Sequence, residues 1–239
     1  MQRAVSYPEP TPTSLKRRLM DLRNVGVEEL IFIRRSPGDA VPVLGKGHKG
    51  IVVLGRLKGE TVAVKILRTD ASRDSLKHEA EILKRVNRLG VGPRLLAESQ
   101  LAIAMGRVGG EPVEGWIADL DGEESEKLRR MLAQVMRDCR RMDEEGIDHG
   151  ELSRAGRHII VSPSGRPTII DFETASGGRR PSNVTSVSSY FLVGGQPSRK
   201  VRRMLMLDAP PLAAMKNYKR DFDERSYRQL LAAVHLSRQ

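Results

Sequence analysis

The chain has 239 residues, 39% of them hydrophobic and 30% charged, which suits one large soluble domain or two lobes that share a cleft. No stretch approaches the roughly 18 consecutive apolar residues of a membrane span, so no membrane contact is expected. Lysine and arginine total 41 against 30 acids, a formal net charge of +11. That excess favours phosphate-rich partners such as nucleotide, RNA or a ribonucleoprotein, with a solvated basic surface as the plain alternative. Aromatic residues are only 4%, too few for a base-stacking surface. Cys139 is the only cysteine, which excludes an intrachain disulfide and a multi-cysteine zinc site.

Residues 1 to about 13 carry Pro8, Pro10 and Pro12 and predict a mobile leader. MQRAVSYPEP lacks an apolar core, so no secretory signal is expected; with a lone cysteine, the expected location is reducing and cytoplasmic. SLKRRLMDL puts Leu15, Leu19 and Leu22 on one helical face behind Ser14 as cap. ELIFIRR and DAVPVLG read as extended segments leading to a glycine loop, and GIVVLGRL and TVAVKIL as a hairpin about the turn KGE. Ser72 to Leu89 reads as a helix with Leu76, Ala80, Leu83 and Val86 at helical spacing and Gly90 as its stop. LAIAMGRV reads as a buried strand that breaks at Gly106. A long helix follows from about Glu123 to Glu145, its stripe Leu128, Met131, Leu132, Val135, Met136, Cys139 and Met142 facing a core. Then come the short apolar segments HIIV and PTIIDFE, a polar linker TASGGRRPSN, and a tail helical in pieces. This order predicts an α+β protein: a β-rich half with one helix, a connecting strand, and a helical half.

Gly45, Gly47 and Gly50 form G-x-G-x-x-G. A dinucleotide-binding unit would open a helix at the third glycine, whereas here IVVLG continues as a strand. A Walker loop needs Lys and Ser or Thr after its last glycine, and Ile51 stands there. The loop therefore closes a hairpin whose backbone N–H groups can approach phosphate.

Fifteen residues after Gly50 comes VAVK, which resembles the V-A-I-K strand of protein kinases. By that resemblance Lys65 contacts the α- and β-phosphates of ATP, and Gly45, Lys46, Gly47, Gly50, Val52 and Ala63 line the nucleotide site. A buried lysine needs a counter-charge. Glu79, in HEAEIL, stands where kinases place their pairing glutamate; the rival Glu81 is turned away from the apolar stripe. Met105 takes the gatekeeper position, and Gly106 and Val108 offer hinge backbone to adenine.

His149-Gly150-Glu151 resembles the H-R-D or H-G-D of a kinase catalytic loop, which implies that Glu151 accepts a hydrogen bond from the acceptor hydroxyl. The zinc deaminases share H-x-E but require a later P-C-x-x-C, and no cysteine follows Cys139. Where the family has asparagine, five residues after the acid, this chain has Gly156. HIIV offers another register that puts His158 in that place, either as a ligand better suited to manganese than magnesium or as a structural imidazole. IIDFE resembles D-F-G, implying Asp171 as ligand for Mg²⁺ or Mn²⁺; Glu173 is a second carboxylate or a salt-bridge partner within the loop.

The similarity spans about Val43 to Ser176, and no A-P-E follows. The trimmed layout resembles small atypical kinases such as the RIO kinases and the kinase of the KEOPS tRNA-modification complex. A bilobal kinase-like fold is implied: residues 1–40 an N-terminal extension with a short helix, 41–105 a β-rich N-lobe, and 106–239 a reduced helical C-lobe. The implied activity is ATP-dependent transfer to Ser or Thr of a protein substrate, as a kinase or an autophosphorylating ATPase switch in an RNA-associated assembly. Two alternatives stand beside it. Glu151 and the missing asparagine suggest a pseudokinase or basic nucleotide- or RNA-binding module. A small-molecule phosphotransferase of the aminoglycoside or choline kinase type also carries D-F-E, but only 63 residues follow Ser176 to build its substrate cradle. The basic tail from Lys200 either contacts RNA or packs Leu205, Leu207, Leu230 and Leu231 on the helical half.

Overall fold

The computed structural model describes residues 2–32, 43–72 and 75–237; part of the two extended runs expected before the glycine loop, at 33–42, lies outside them. The fold is α+β with antiparallel sheets. Two compact units are present: Met1–Asn87 with Pro93–Val108, and Arg88–Gly92 with Gly109–Gln239.

In the first unit, α1 (Gln2–Val5) and α2 (Pro12–Asn24) precede β1 (Val27–Ile31), β2 (Gly45–Lys46), β3 (Gly50–Leu57) and β4 (Glu60–Leu67). Helix α3 (Lys77–Arg88), β5 (Leu95–Glu98) and β6 (Ala102–Gly106) complete it. The strands run β1-β3-β4-β6-β5, with β2 on β3. The β3–β4 turn is made by Lys58 (φ 51°) and Gly59 (φ 77°), two left-handed residues whose twist matches that of the strands they join. Period-two alternation along β4 then sends Val62, Val64 and Ile66 to one face and Ala63, Lys65 and Leu67 to the other. The first set packs with Ala4, Val5, Leu22 and Val25.

Two expectations fail here. Residues 2–9 are docked rather than mobile: Ala4 and Val5 lie in the core, the Thr69 N–H donates to the Tyr7 carbonyl (2.8 Å), and the Tyr7 ring lies 4.4 Å from Lys46 Nζ. Prolines marked the segment as irregular, but two small apolar residues suffice to hold it. Helix α2 starts earlier than Ser14, because Thr11 is the cap and Ser14 completes a capping box with it. Its inner face is accordingly Leu15, Arg18 and Leu22; Leu19 is 36% exposed, while buried Arg18 donates to the Leu67 carbonyl (3.1 and 3.2 Å).

The second unit holds β7 (Glu111–Pro112), α4 (Val113–Asp119), α5 (Ser125–Glu144), a 3₁₀ element (Leu152–Arg157), β8 (Ile159–Val161) and β9 (Pro167–Ile169). There follow α6 (Asn183–Ser189), running into a π turn (Tyr190–Gly194), α7 (Ser198–Met204), α8 (Leu212–Asp221) and α9 (Glu224–Ala233). Strands β7, β8 and β9 form a small sheet in that order. The whole predicted stripe of α5 is buried, and burial pushes the Cys139 thiol well above its ordinary value, leaving it inert as a nucleophile. In the tail Leu205 and Leu230 are buried, so these two leucines serve packing. Among the described residues no helix is long and apolar enough to cross a membrane.

If the leader is a true part of the core, Val5→Ala should lower the unfolding free energy by about 1–3 kcal/mol, the scale of buried methyl deletions. Urea denaturation reads this directly, and an unchanged midpoint would mean that the segment is not docked.

Candidate functional site

The glycine loop is a tight hairpin. Gly45 pairs with Val52 and Lys46 with Ile51, and the Gly47 N–H donates to the Gly50 carbonyl (2.8 Å). Gly50 opens β3, a strand and not a helix, as its sequence context demands. Its missing side chain has a specific use: a Cβ there would stand 3.0 Å from both Cγ and Cε of Lys65. The lysine stem therefore passes directly behind the loop.

Lys65 is 3% exposed and Glu79 7%, and Lys65 Nζ donates to Glu79 Oε1 at 2.8 Å. Glu79 faces the sheet from the first turn of α3. Glu81, two residues on, instead accepts from Lys84 on the exposed side (2.8 Å). Opposite Lys65 stand Val52 on β3 and Ile103 on β6; Ala63, one alternation back along β4, is opposite Met105. The Gly106 N–H is committed to the Arg94 carbonyl (2.8 Å), so of the two proposed hinge residues only Val108 has an N–H to offer a base.

In the second unit the residues of H-G-E and D-F-E come together. Glu151 is the residue before the 3₁₀ element and His158 the residue after it. The Ile170 N–H donates to the His158 carbonyl (2.9 Å), joining the loop to the end of β9. Asp171 follows in a left-handed conformation (φ 66°), uncommon for a residue with a side chain but several-fold enriched for aspartate. One ligand atom from each of Glu151, His158 and Asp171 lies within 4.8 Å of the others. Two carboxylate oxygens and an imidazole nitrogen can hold a divalent cation, and the nitrogen makes Mn²⁺ or Zn²⁺ a better fit than Mg²⁺. Glu173 is not one of the three. It is 5% exposed, in the turn closed by the Ala175 N–H and the Phe172 carbonyl. Gly156, at the spacing of the family's asparagine, sits where a Cβ would displace the Tyr190 hydroxyl and the Glu114 carboxylate from their present positions.

His149 does not join the cluster chemically. Its ring is fully buried, its Nε2–H donates to the Ile170 carbonyl (3.1 Å), and it packs edge-on against Phe172 at 5.1 Å and His158 at 5.5 Å. Burial pulls its pKa down from 6.5 to about 4, so the imidazole stays neutral and acts as a strut.

Several residues that hold this loop were not singled out from the sequence. TASGGRRPSN is no free linker: Asp148 and Ser176 exchange backbone hydrogen bonds (2.8 and 2.9 Å), and Arg179 and Ser182 both donate to the Asp148 carboxylate. Thr174 Oγ1 donates to the His149 carbonyl (3.0 Å) and lies 3.2 Å from Glu151 Oε2. Asn183 Oδ1 accepts from the His149 N–H (2.8 Å), while its Nδ2 donates to Asp143 (2.8 Å) and to the Ile147 carbonyl (2.6 Å). The available signal was the density of Thr, Ser, Asn and Arg just after D-F-E, which a solvated linker does not need. No protein-family model matches the chain, and no curated protein sequence does either.

Two measurements examine these placements. Glu79→Ala strips the carboxylate from a buried ammonium and should cost about 3–5 kcal/mol, against less than about 1 kcal/mol for the surface Glu81→Ala; equal losses in urea melts would rule out the pairing. For His149, the unfolded chain binds a proton near pH 6.5 and the folded chain only near 4. Stability held by the neutral imidazole is therefore complete above pH 6.5 and is lost as pH falls towards 4, by about 3 kcal/mol in all. His149→Gln should flatten that slope, and an unaltered slope would show that the imidazole is not held neutral.

Proposed function

We propose that this chain is an ATP-dependent phosphotransferase with a bilobal kinase-like fold, of the atypical protein kinase class, acting on Ser or Thr hydroxyls of a protein. The observation that carries the proposal is the Lys65–Glu79 pair. An ammonium held at 2.8 Å from a carboxylate, on the strand behind a glycine hairpin, is fixed in position before any ligand arrives. Such pre-organisation suits a group that must meet phosphate oxygens without rearranging. The element order supports the same proposal, since an antiparallel sheet with one helix between its fourth and fifth strands precedes a helical half.

In this mechanism the backbone of Gly45–Gly50 and the Lys65 ammonium hold the triphosphate, and Val52, Ala63, Met105 and the Val108 backbone accept the adenine. A divalent cation, when bound, neutralises charge on the phosphate oxygens; Asp171 and His158 are the residues to hold it. Glu151 orients the acceptor hydroxyl and takes its hydrogen bond. A kinase acting this way needs both sets of residues on one nucleotide.

A second proposal, nucleotide binding without transfer, draws on one observation: Glu151 stands with His158 and Asp171 and can be spent as a ligand. The two separate in a single assay with labelled ATP, Mn²⁺ or Mg²⁺ and a generic protein substrate. Label on protein, including the chain itself, supports the kinase. Label on a small metabolite assigns a small-molecule phosphotransferase, and nucleotide retained without transfer assigns the binding module. Lys65→Ala and Asp171→Ala should each reduce transfer by at least about 100-fold, the scale of losing one electrostatic clamp. Transfer near the wild-type rate in either variant would exclude these residues from the chemistry.

A further inference from the structure

A cavity of about 480 Å³ opens within the second unit, lined on one side by Ser153, Arg154 and Arg157 of the 3₁₀ element and on the other by Glu114, Ser189 and Tyr190. Its cationic wall follows from the local fold. Leu152, Ala155 and Gly156 are buried, so the remaining members of the element, Ser153, Arg154 and Arg157, are turned outward and exposed. Arg154 leaves helical geometry altogether (φ −119°, ψ 40°), which breaks the element between the two guanidinium groups. Among the described residues neither Arg154 nor Arg157 makes a side-chain hydrogen bond or an ion pair.

The opposite wall is already committed. Tyr190 donates its hydroxyl to Glu114 Oε2 (3.2 Å), and burial together with that neighbouring carboxylate pushes the phenol up, so it remains a donor. The wall is closely built, because a Cβ at Gly195 would collide with the Tyr190 carbonyl. With one carboxylate engaged and two planar guanidinium groups uncommitted, the cavity has a net charge of +1 and a forked donor pattern that matches a carboxylate or a phosphomonoester. Its volume fits one side chain with its flanking backbone, not a folded partner. A continuous phosphate backbone is disfavoured by the Glu114 carboxylate in the same small space.

The position of the cavity gives it a purpose. Glu151 immediately precedes the element that carries both arginines. At about 2 Å of rise per 3₁₀ residue, Arg154 stands roughly 6 Å along it from Glu151, and Arg157 lies three residues past the break. An extended chain covers roughly 6 Å in about two residues, and the length of an arginine side chain extends the reach by about two more. We propose that this cavity is an acceptor-side anion site, taking the carboxylate or phosphate of a residue two to four positions from the Ser or Thr that receives phosphate. The acceptor role rests on the kinase function proposed above; the anion site does not.

Fluorescence anisotropy with the full chain and no nucleotide tests the site alone. Three labelled serine peptides serve as probes, with glutamate, phosphoserine or alanine three residues from the serine. The acidic peptides should bind at least about 10-fold more tightly than the alanine peptide. That preference should vanish in Arg154→Ala/Arg157→Ala and survive in part in Arg154→Lys/Arg157→Lys; a thermal melt confirms that each variant is folded. A larger gain for phosphoserine than for glutamate identifies a primed acceptor, and the reverse order an acidic one. Equal binding of all three peptides, or a preference that outlasts the double alanine change, overturns the site. So does an oligoribonucleotide that displaces the acidic peptides and loses its own affinity in the same variant. Peptide binding through the arginines with no label transfer refutes the kinase and leaves the anion site. Transfer of equal efficiency to acidic and neutral peptides does the opposite.

Discussion

A lysine ammonium that is 3% exposed needs a counter-charge, and the Glu79 carboxylate stands 2.8 Å away. Desolvating either charge alone costs several kcal/mol, so the two must be buried together, and that requirement fixes more than two side chains. Alternation along β4 decides that Lys65 leaves the sheet on the face opposite Val64 and Ile66, while α3 must arrive with Glu79, not Glu81, directed at that face. The stem of the lysine needs a path, and Gly50 supplies it by having no Cβ to fill the space. Glycine at the end of the loop is therefore a packing requirement of the ion pair as well as a source of flexible backbone.

The second unit solves a related problem with hydrogen bonds in place of a salt bridge. Asp143 is buried, and desolvation raises its pKa, yet it accepts from the Asn183 and Val184 backbone, the Asn183 amide and the Tyr218 hydroxyl. Such a fully bonded carboxylate is a rigid anchor. Asn183 passes that rigidity on to the His149 backbone, and Asp148 ties the same loop to Arg179 and Ser182. The loop that carries Glu151 is thus held from behind by groups outside the Glu151, His158 and Asp171 cluster.

What the sequence made legible follows a pattern. The meeting of Glu151, His158 and Asp171 is what the resemblance of H-G-E, HIIV and D-F-E to kinase motifs implies, whereas the hairpin about Lys58 and Gly59, the stripe of α5 and the choice of Glu79 over Glu81 rest on periodicity or on a charge that must be matched. Those are local or pairwise constraints, readable in one dimension. The docking of residues 2–9, the cap at Thr11 and the fixing of TASGGRRPSN were not legible. The docking and the fixing each depend on a partner far along the chain, Tyr7 on Thr69, Asp148 on Arg179 and His149 on Asn183, whereas the cap is a local choice between Thr11 and Ser14, three residues apart. Proline and serine density marks a segment as irregular, and irregular backbone is easily mistaken for free backbone.

Three positions at which the chain differs from the kinase motifs it resembles belong to one another. The ends of the Tyr190 and Glu114 side chains lie beside Gly156 and would have to shift for any Cβ there, and the nitrogen that reaches the acidic cluster comes two residues later, from His158. His158 is held by the end of its 3₁₀ element and by Ile170, which leaves it 4.0 Å from Glu151 Oε2. An aspartate at 151 would be one methylene short of that oxygen's position. Gly150, just before the acid, is left-handed at φ 88°, and a Cβ there would meet Arg179 and Thr174, so the turn that leads into Glu151 favours glycine. The length of glutamate is thus what brings a carboxylate oxygen to the His158 imidazole.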